Sequence, residues 1–139
     1  MGGTIVCDVT DPLAGLPATE LASALAGRLG LRVVLASVAD GEAAAAGSLA
    51  AVADELGVEF ERRVAVGDRA EALARVAAEE GADLIIVGSR AAGFGGRNLR
   101  CALVDDLDAA TPVPVLVAPP SRRKRSERRL ALAAQAPAR

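Results

Sequence analysis

The chain has 139 residues, 52% of them hydrophobic and only 1% aromatic, with a formal net charge of −2. This length fits one domain around a single core, built from aliphatic side chains. The absence of histidine excludes the common zinc clusters, histidine-based catalytic triads and histidine general bases, and the scarcity of aromatic side chains argues against stacking on single-stranded nucleic acid.

The first half of the chain alternates between short apolar runs and amphipathic segments. We predict buried strands at residues 4–9 and 31–38, because both runs are short and rich in β-branched residues. Helices are predicted at 18–30 and 42–57, where apolar residues recur every three or four positions and a glycine stands at the end. The stretch 10–17, TDPLAGLP, predicts a loop, since it combines two prolines with a glycine.

The second half continues the same alternation. Residues 58–67 predict a strand near a sheet edge, with Val64 and Val66 on its apolar side and charged residues between them. Asp68, three residues before Glu71, predicts a capped helix start. The remaining predicted elements are a helix at 69–81, a strand at 82–88, a helix at 103–111 and a strand at 112–119.

Strict alternation of strands and helices predicts an α/β fold: a doubly wound five-stranded parallel sheet with helices on both faces. Ligands of such sheets bind beyond the carboxyl ends of the strands, where the winding direction reverses. The loops of interest are therefore TDPLAG at 10–15, ADGE at 39–42 and the glycine-rich GSRAAGFGG at 88–96.

Five stretches of the chain, in order and spacing, resemble the UspA-like universal stress protein family. They are TIVCDVTD, LGLRVVLASV, VAVGDRAEAL, GADLIIVGSR and TPVPVLV, and the match covers residues 4–118. The resemblance implies the family's adenine nucleotide alpha hydrolase-like fold and a stress-response role. It also implies a homodimer formed through the strand at 114–118, an apolar edge strand on which we expect Val115 and Val117 to be exposed unless covered.

Nucleotide-binding members of that family carry Gly-x-x-Gly, nine residues and then Gly-Ser or Gly-Thr, with an Asp at the end of the first strand. Here Gly88 is kept, but Ala91 stands at the second glycine, residues 101–102 read Cys-Ala, and Thr10 stands at the Asp position beside Asp11. An added Cβ obstructs a backbone that must approach phosphate, and the Ser hydroxyl and Asp carboxylate are lost. Two lost hydrogen bonds to charged groups weaken binding by a factor on the order of 100 to 10,000.

We therefore expect no cofactor, or ATP bound only weakly, at a degraded site. The positions of that site are Thr10, Asp11, Val38, Gly88, Arg90, Ala91, Gly93, Cys101 and Ala102.

Three alternatives remain open at this point. The first concerns the glycine-rich segment, which has glycines at 93, 95 and 96 and arginines at 90, 97 and 100. These residues suit an anion site displaced from the family's motif, and such a site would make the chain an ATP-binding switch with slow hydrolysis. The simpler interpretation is a flexible surface loop. Cys101 near a helix start suits a reactive thiol or a space-filling residue. Acids at 105, 106 and 108 suit a metal or, as we expect, only the helix dipole.

The charge of the chain is divided between two regions. Residues 1–118, the predicted UspA-like domain, carry 9 basic and 17 acidic groups, whereas residues 119–139 carry 7 basic groups and one acidic residue, Glu127. The tail predicts a disordered segment with weak, salt-dependent contacts to polyanions, so a basic-tailed adaptor is another candidate function. No apolar run reaches the length of a membrane span and the first residues lack a secretion signal, so we expect a cytoplasmic protein. The absence of histidine removes most enzyme classes, and with the family resemblance we expect a non-enzymatic protein.

Overall fold

The computed structural model describes residues 3–39, 60–89 and 102–119, together with residues 47, 49, 50 and 52. Those four single residues are helical, and the rest of the helix predicted at 42–57 lies outside the described residues. In chain order the elements are β1 (Thr4–Asp8), α1 (Pro12–Leu29), β2 (Arg32–Ala39), β3 (Glu61–Val66), α2 (Arg69–Glu80), β4 (Leu84–Gly88), α3 (Ala102–Ala110) and β5 (Val115–Ala118).

The five strands form one sheet in the order β3-β2-β1-β4-β5, and every pairing is parallel. The central strand β1 pairs with β2 on one side and β4 on the other, so the winding reverses there. Helices α2 and α3 bury one face of the sheet, and α1 with Leu49 and Val52 buries the other. The predicted doubly wound parallel sheet is therefore confirmed. Of the helices in the described ranges, none combines the length and hydropathy that a bilayer crossing requires.

Helix α1 begins earlier than the sequence predicted. It starts at Pro12 and passes through Pro17, so the loop predicted at 10–17 is wrong from residue 12 onward. Pro12 suits a first helical position, where the missing amide is not needed. The helix tolerates Pro17 because its neighbours are buried against the sheet, and Gly15 is what allows the close approach: a Cβ there would lie 2.8 Å from Val9 Cα.

Replacing Gly15 by alanine is expected to lower the free energy of unfolding by about 1–3 kcal/mol, because backbone atoms must move to admit the new Cβ. Gly27 provides the matched control in the same helix, since it is exposed and a Cβ there meets nothing within 4 Å. Gly27→Ala is expected to raise stability by about 0.5–1 kcal/mol, as in ordinary helix interiors. Urea unfolding of both variants checks the pair, and equal effects of the two substitutions would contradict the close packing of α1.

Helix α2 is capped at both ends, and its sequence predicted the cap at the start. The Asp68 side chain accepts a hydrogen bond from the Glu71 amide at 3.1 Å, which satisfies one of the first free amides of the helix. At the other end Gly81 adopts a left-handed conformation, with φ of 65°, and its amide bonds back to the last turn. The predicted capped start at Asp68 is thus confirmed.

Strand β3 lies at a sheet edge as predicted, but its apolar side is not the buried one. Val64 and Val66 are 37% and 46% exposed, whereas Ala65 is buried in the core beneath α2. The register explains the difference, because Ala65 pairs with Val38, whose side chain lies in the same core cluster. The pairing partner decides which side of an edge strand faces inward.

Strand β5 differs from expectation in the same way. Val115 and Val117 are half-buried against the core on the α2 and α3 side, so the expectation that they are exposed is wrong. The exposed side chain is Leu116, at 38%. Alternate residues of a strand point to opposite faces, and the pairing of β5 with β4 places Val115 and Val117 inward.

A network of ion pairs joins β2, β3 and the end of α2. Arg32 contacts Glu61 and Glu80, each at 2.9 Å, and Arg63 contacts Glu80 at 2.6 Å and also Glu79. Acidic residues at the carboxyl end of a helix oppose its dipole, so Glu79 and Glu80 need these cations. The hydrogen bond from Arg63, aided by Arg32, holds the pKa of Glu80 below its usual value of 4.5, although burial acts in the opposite direction.

A depressed carboxyl pKa stabilises the fold at neutral pH and loses that effect as the pH falls through the folded-state pKa. We expect Glu80→Gln to be less stable than the parent chain at about pH 7, and the difference to shrink as the pH falls through the lowered pKa of Glu80 and the parent side chain takes up a proton. Urea unfolding of both chains across this range measures the difference. A gap that stays constant with pH would show that the charge of Glu80 does not contribute.

Candidate functional site

Several of the predicted site positions meet at the carboxyl edge of the sheet. Thr10 follows β1, Val38 lies near the end of β2, and Gly88 ends β4, and these three strands are neighbours at the point where the winding reverses. Asp11 follows Thr10 directly, and Ala102 is the first residue of α3. The other four positions, Arg90, Ala91, Gly93 and Cys101, lie outside the described residues, as do the arginines at 97 and 100.

Thr10 is bonded to two neighbouring groups of the protein. Its amide and its hydroxyl donate to Oδ1 of Asp8, at 3.0 and 2.6 Å. The same hydroxyl accepts a hydrogen bond from the Val38 amide at 3.0 Å. The Val38 amide, which a ligand at this edge would meet, is therefore already engaged by a side chain of the protein.

Asp8 is the site residue that the sequence analysis missed. Its carboxylate has no solvent exposure, and its Oδ2 accepts hydrogen bonds from Nε and Nη2 of Arg69 at 3.0 and 2.5 Å. Arg69 is the first residue of α2 and keeps 30% of its side chain exposed. A signal was available, because a carboxylate within the apolar strand TIVCDV requires a partner when buried. The identity of a partner 61 residues away was not readable from spacing.

In the part of this edge that the structure describes, the Asp8 carboxylate is satisfied by groups of the protein itself. One buried carboxylate receives four hydrogen bonds, two from Thr10 and two from Arg69, and its charge is neutralised by the guanidinium. A buried carboxylate held in this way is not available as a general base or as a ligand group. Within the described ranges, no group of three or more His, Cys, Asp or Glu side chains is placed to hold a metal ion.

The thiol of Cys7 lies in the core on the face of the sheet that α1 covers, opposite to the face on which Asp8 contacts Arg69. It is fully buried, with Sγ 3.4 Å from the Thr19 hydroxyl. Burial raises the pKa of this thiol to about 12, despite the hydrogen bond with Thr19, which acts in the other direction. Cys7 therefore stays protonated and belongs to the core.

Replacing Arg69 by alanine is expected to lower the free energy of unfolding by about 3–5 kcal/mol, because it leaves the Asp8 carboxylate buried without its cation. Arg75, which is exposed on the same helix, is the matched control, and Arg75→Ala is expected to change stability by less than about 0.5 kcal/mol. Chemical unfolding of both variants measures the contrast. Similar small effects at both positions would mean that Asp8 does not depend on Arg69.

The comparison with known families identifies the chain. The sequence profile of the universal stress protein family matches residues 42–119, more than half of the chain. The chain belongs to the universal stress protein family. No curated protein sequence matches it significantly.

Solved structures of universal stress proteins have the same fold. One, in complex with cAMP, is 25% identical with a TM-score of 0.69, and the match covers 86% of this chain and 98% of that chain. The universal stress protein UspA from Lactobacillus plantarum is 18% identical with a TM-score of 0.69, covering 84% and 97%. A universal stress protein family protein from Arabidopsis thaliana with AMP bound is 14% identical with a TM-score of 0.59, covering 88% and 94%.

Proposed function

We propose that this universal stress protein is a non-enzymatic regulatory module whose nucleotide site is degraded. The observation that supports it most directly is the polar centre at the carboxyl edge, formed by Asp8, Arg69, Thr10 and the Val38 amide. These groups satisfy one another, so a nucleotide would have to compete with contacts inside the protein.

The glycine-rich segment supports the same proposal through its sequence. Ala91 and Cys101 carry Cβ atoms where nucleotide-binding relatives have glycine, and Ala102 lacks the hydroxyl of their Ser or Thr. Both changes remove contacts that a phosphate requires from bare backbone and from a hydroxyl donor.

The non-enzymatic part of the proposal depends on which general bases are present. The chain has no histidine, and the buried carboxylate at the end of β1, Asp8, is committed to Arg69 and Thr10. A general base must be free to accept a proton from its substrate. Asp8, whose two carboxylate oxygens are both hydrogen-bonded within the protein, is not free in this way.

A nucleotide-binding switch is the second candidate. It is favoured by the structural relatives that hold cAMP and AMP, one of them 25% identical. In that case the ligand would use Gly88 and the segment that follows it. The two candidates differ in one measurable quantity, which is the affinity for adenine nucleotides.

Calorimetric titration with ATP, AMP and cAMP is expected to give dissociation constants weaker than the low micromolar range, because the contact positions are altered and the edge is internally bonded. The triple substitution Ala91→Gly, Cys101→Gly and Ala102→Ser is expected to strengthen ATP binding by restoring the family motif. A control in α3, Ala109→Gly, also adds a glycine but at an exposed position away from the motif. Low-micromolar binding by the unmodified chain would overturn this proposal and favour the switch.

We also propose that the module is a homodimer that pairs β5 with its copy, as the family resemblance implies. Among the described strands β5 pairs only with β4, so its outer edge presents unpaired backbone groups, and Leu116 is 38% exposed beside it. An apolar edge strand of this kind is suited to pairing with a second chain.

Leu116→Lys is expected to convert the dimer to a monomer, since it places charge on the proposed contact. Leu29, the last residue of α1, is 63% exposed and does not belong to β5, so Leu29→Lys is the matched control and is expected to leave the mass unchanged. Light scattering at high micromolar protein measures both. A monomeric parent chain at that concentration would contradict the dimer.

A further inference from the structure

The two oxygens of the Asp8 carboxylate have separate partners. Oδ1 accepts from the amide and hydroxyl of Thr10, and Oδ2 accepts from Nε and Nη2 of Arg69. The contact with Arg69 uses one edge of the guanidinium. That edge is the one with which arginine binds the oxygens of phosphate and carboxylate ligands.

The two partners in this ion pair differ in access to solvent. Asp8 has no exposure and is fixed on the central strand, whereas 30% of the Arg69 side chain is exposed. A dissolved anion that approaches Arg69 therefore competes with a carboxylate that cannot leave. Because both groups belong to one chain, the effective concentration of Asp8 at Arg69 is high.

We propose that Asp8 is the residue that excludes anionic ligands from the carboxyl edge: it occupies Arg69 as an internal anion, and without its charge Arg69 binds phosphate groups. This inference rests on the proposed function, because it explains why the edge does not take nucleotide. It assigns Asp8 the role of a specificity determinant and Arg69 that of a binding group for phosphate.

The test compares the parent chain with Asp8→Asn, which keeps the shape of the side chain and removes the charge that neutralises Arg69. Binding of inorganic phosphate, AMP and adenosine is measured by titration calorimetry, and folding is checked by circular dichroism. We expect Asp8→Asn to bind phosphate and AMP about 10- to 100-fold more tightly than the parent chain. Adenosine, which lacks the phosphate, is expected to show no gain.

Two further variants distinguish phosphate binding by Arg69 from the effect of a change in net charge. Glu79→Gln alters the net charge of the chain by the same amount, but it removes only one of the two acids that contact Arg63, at the far end of α2 from Arg69, and leaves the contact with Glu80. This variant is expected to gain no phosphate binding. The double variant Asp8→Asn with Arg69→Gln is expected to lose the gain. If Asp8→Asn does not fold, Asp8→Ala takes its place, since it leaves Arg69 able to turn to solvent.

The inference is overturned if the folded Asp8 variant binds phosphate no more tightly than the parent chain, or if the gain survives removal of Arg69 or appears equally in Glu79→Gln. Tight ATP binding by the parent chain would instead contradict the proposed function. The role of Asp8 would still be decided by the ratio of phosphate affinities between variant and parent, so the two failures are distinguishable.

Discussion

A carboxylate with no access to water, at the end of the central strand, is the constraint on which the carboxyl edge depends. Removing such a charge from water costs several kcal/mol unless a cation and further hydrogen bonds compensate. Asp8 obtains the cation from the first residue of α2 and the hydrogen bonds from Thr10. The start of α2 and the end of β1 are thereby held together, and Thr10 extends the same centre to β2 through the Val38 amide. One buried charge thus orders the ends of two strands and the beginning of a helix.

The edge of this sheet is the part of the fold at which ligands of α/β proteins bind. Among the described residues at that edge, Asp8, Thr10, Arg69 and the Val38 amide are matched by one another, while the core beneath consists mainly of aliphatic side chains on both faces of the sheet. The Asp8 centre therefore completes its own hydrogen bonds without a ligand. This separation of fold from ligand is consistent with a family whose structures remain similar at 14–25% identity.

The architecture could be predicted from the sequence because strand and helix patterns alternate strictly and local signals mark the ends of elements, as Asp68 and Gly30 do. The start of α1 could not be predicted, since Pro17 and Gly15 indicate a turn. Only the close approach of Gly15 to Val9 shows why a helix runs through these residues. The inward side of β3 depends on its register with β2, which is a long-range property. The altered family motif was visible in the sequence, whereas the Asp8–Arg69 pair joins residues that no local pattern connects.

The ion pairs on β3 also bear on how copies of this protein can associate. Its strand residues Glu61, Arg62 and Arg63 are charged, and two of them are tied to neighbouring elements, which makes this edge a poor template for another strand. The opposite edge, at β5, has no charged residue in its strand. A sheet with one edge suited to pairing can add one strand of another chain there, and that edge is then covered. If two copies pair through β5 as proposed, a two-fold axis closes the assembly, and only the charged β3 edge is left for further strand pairing.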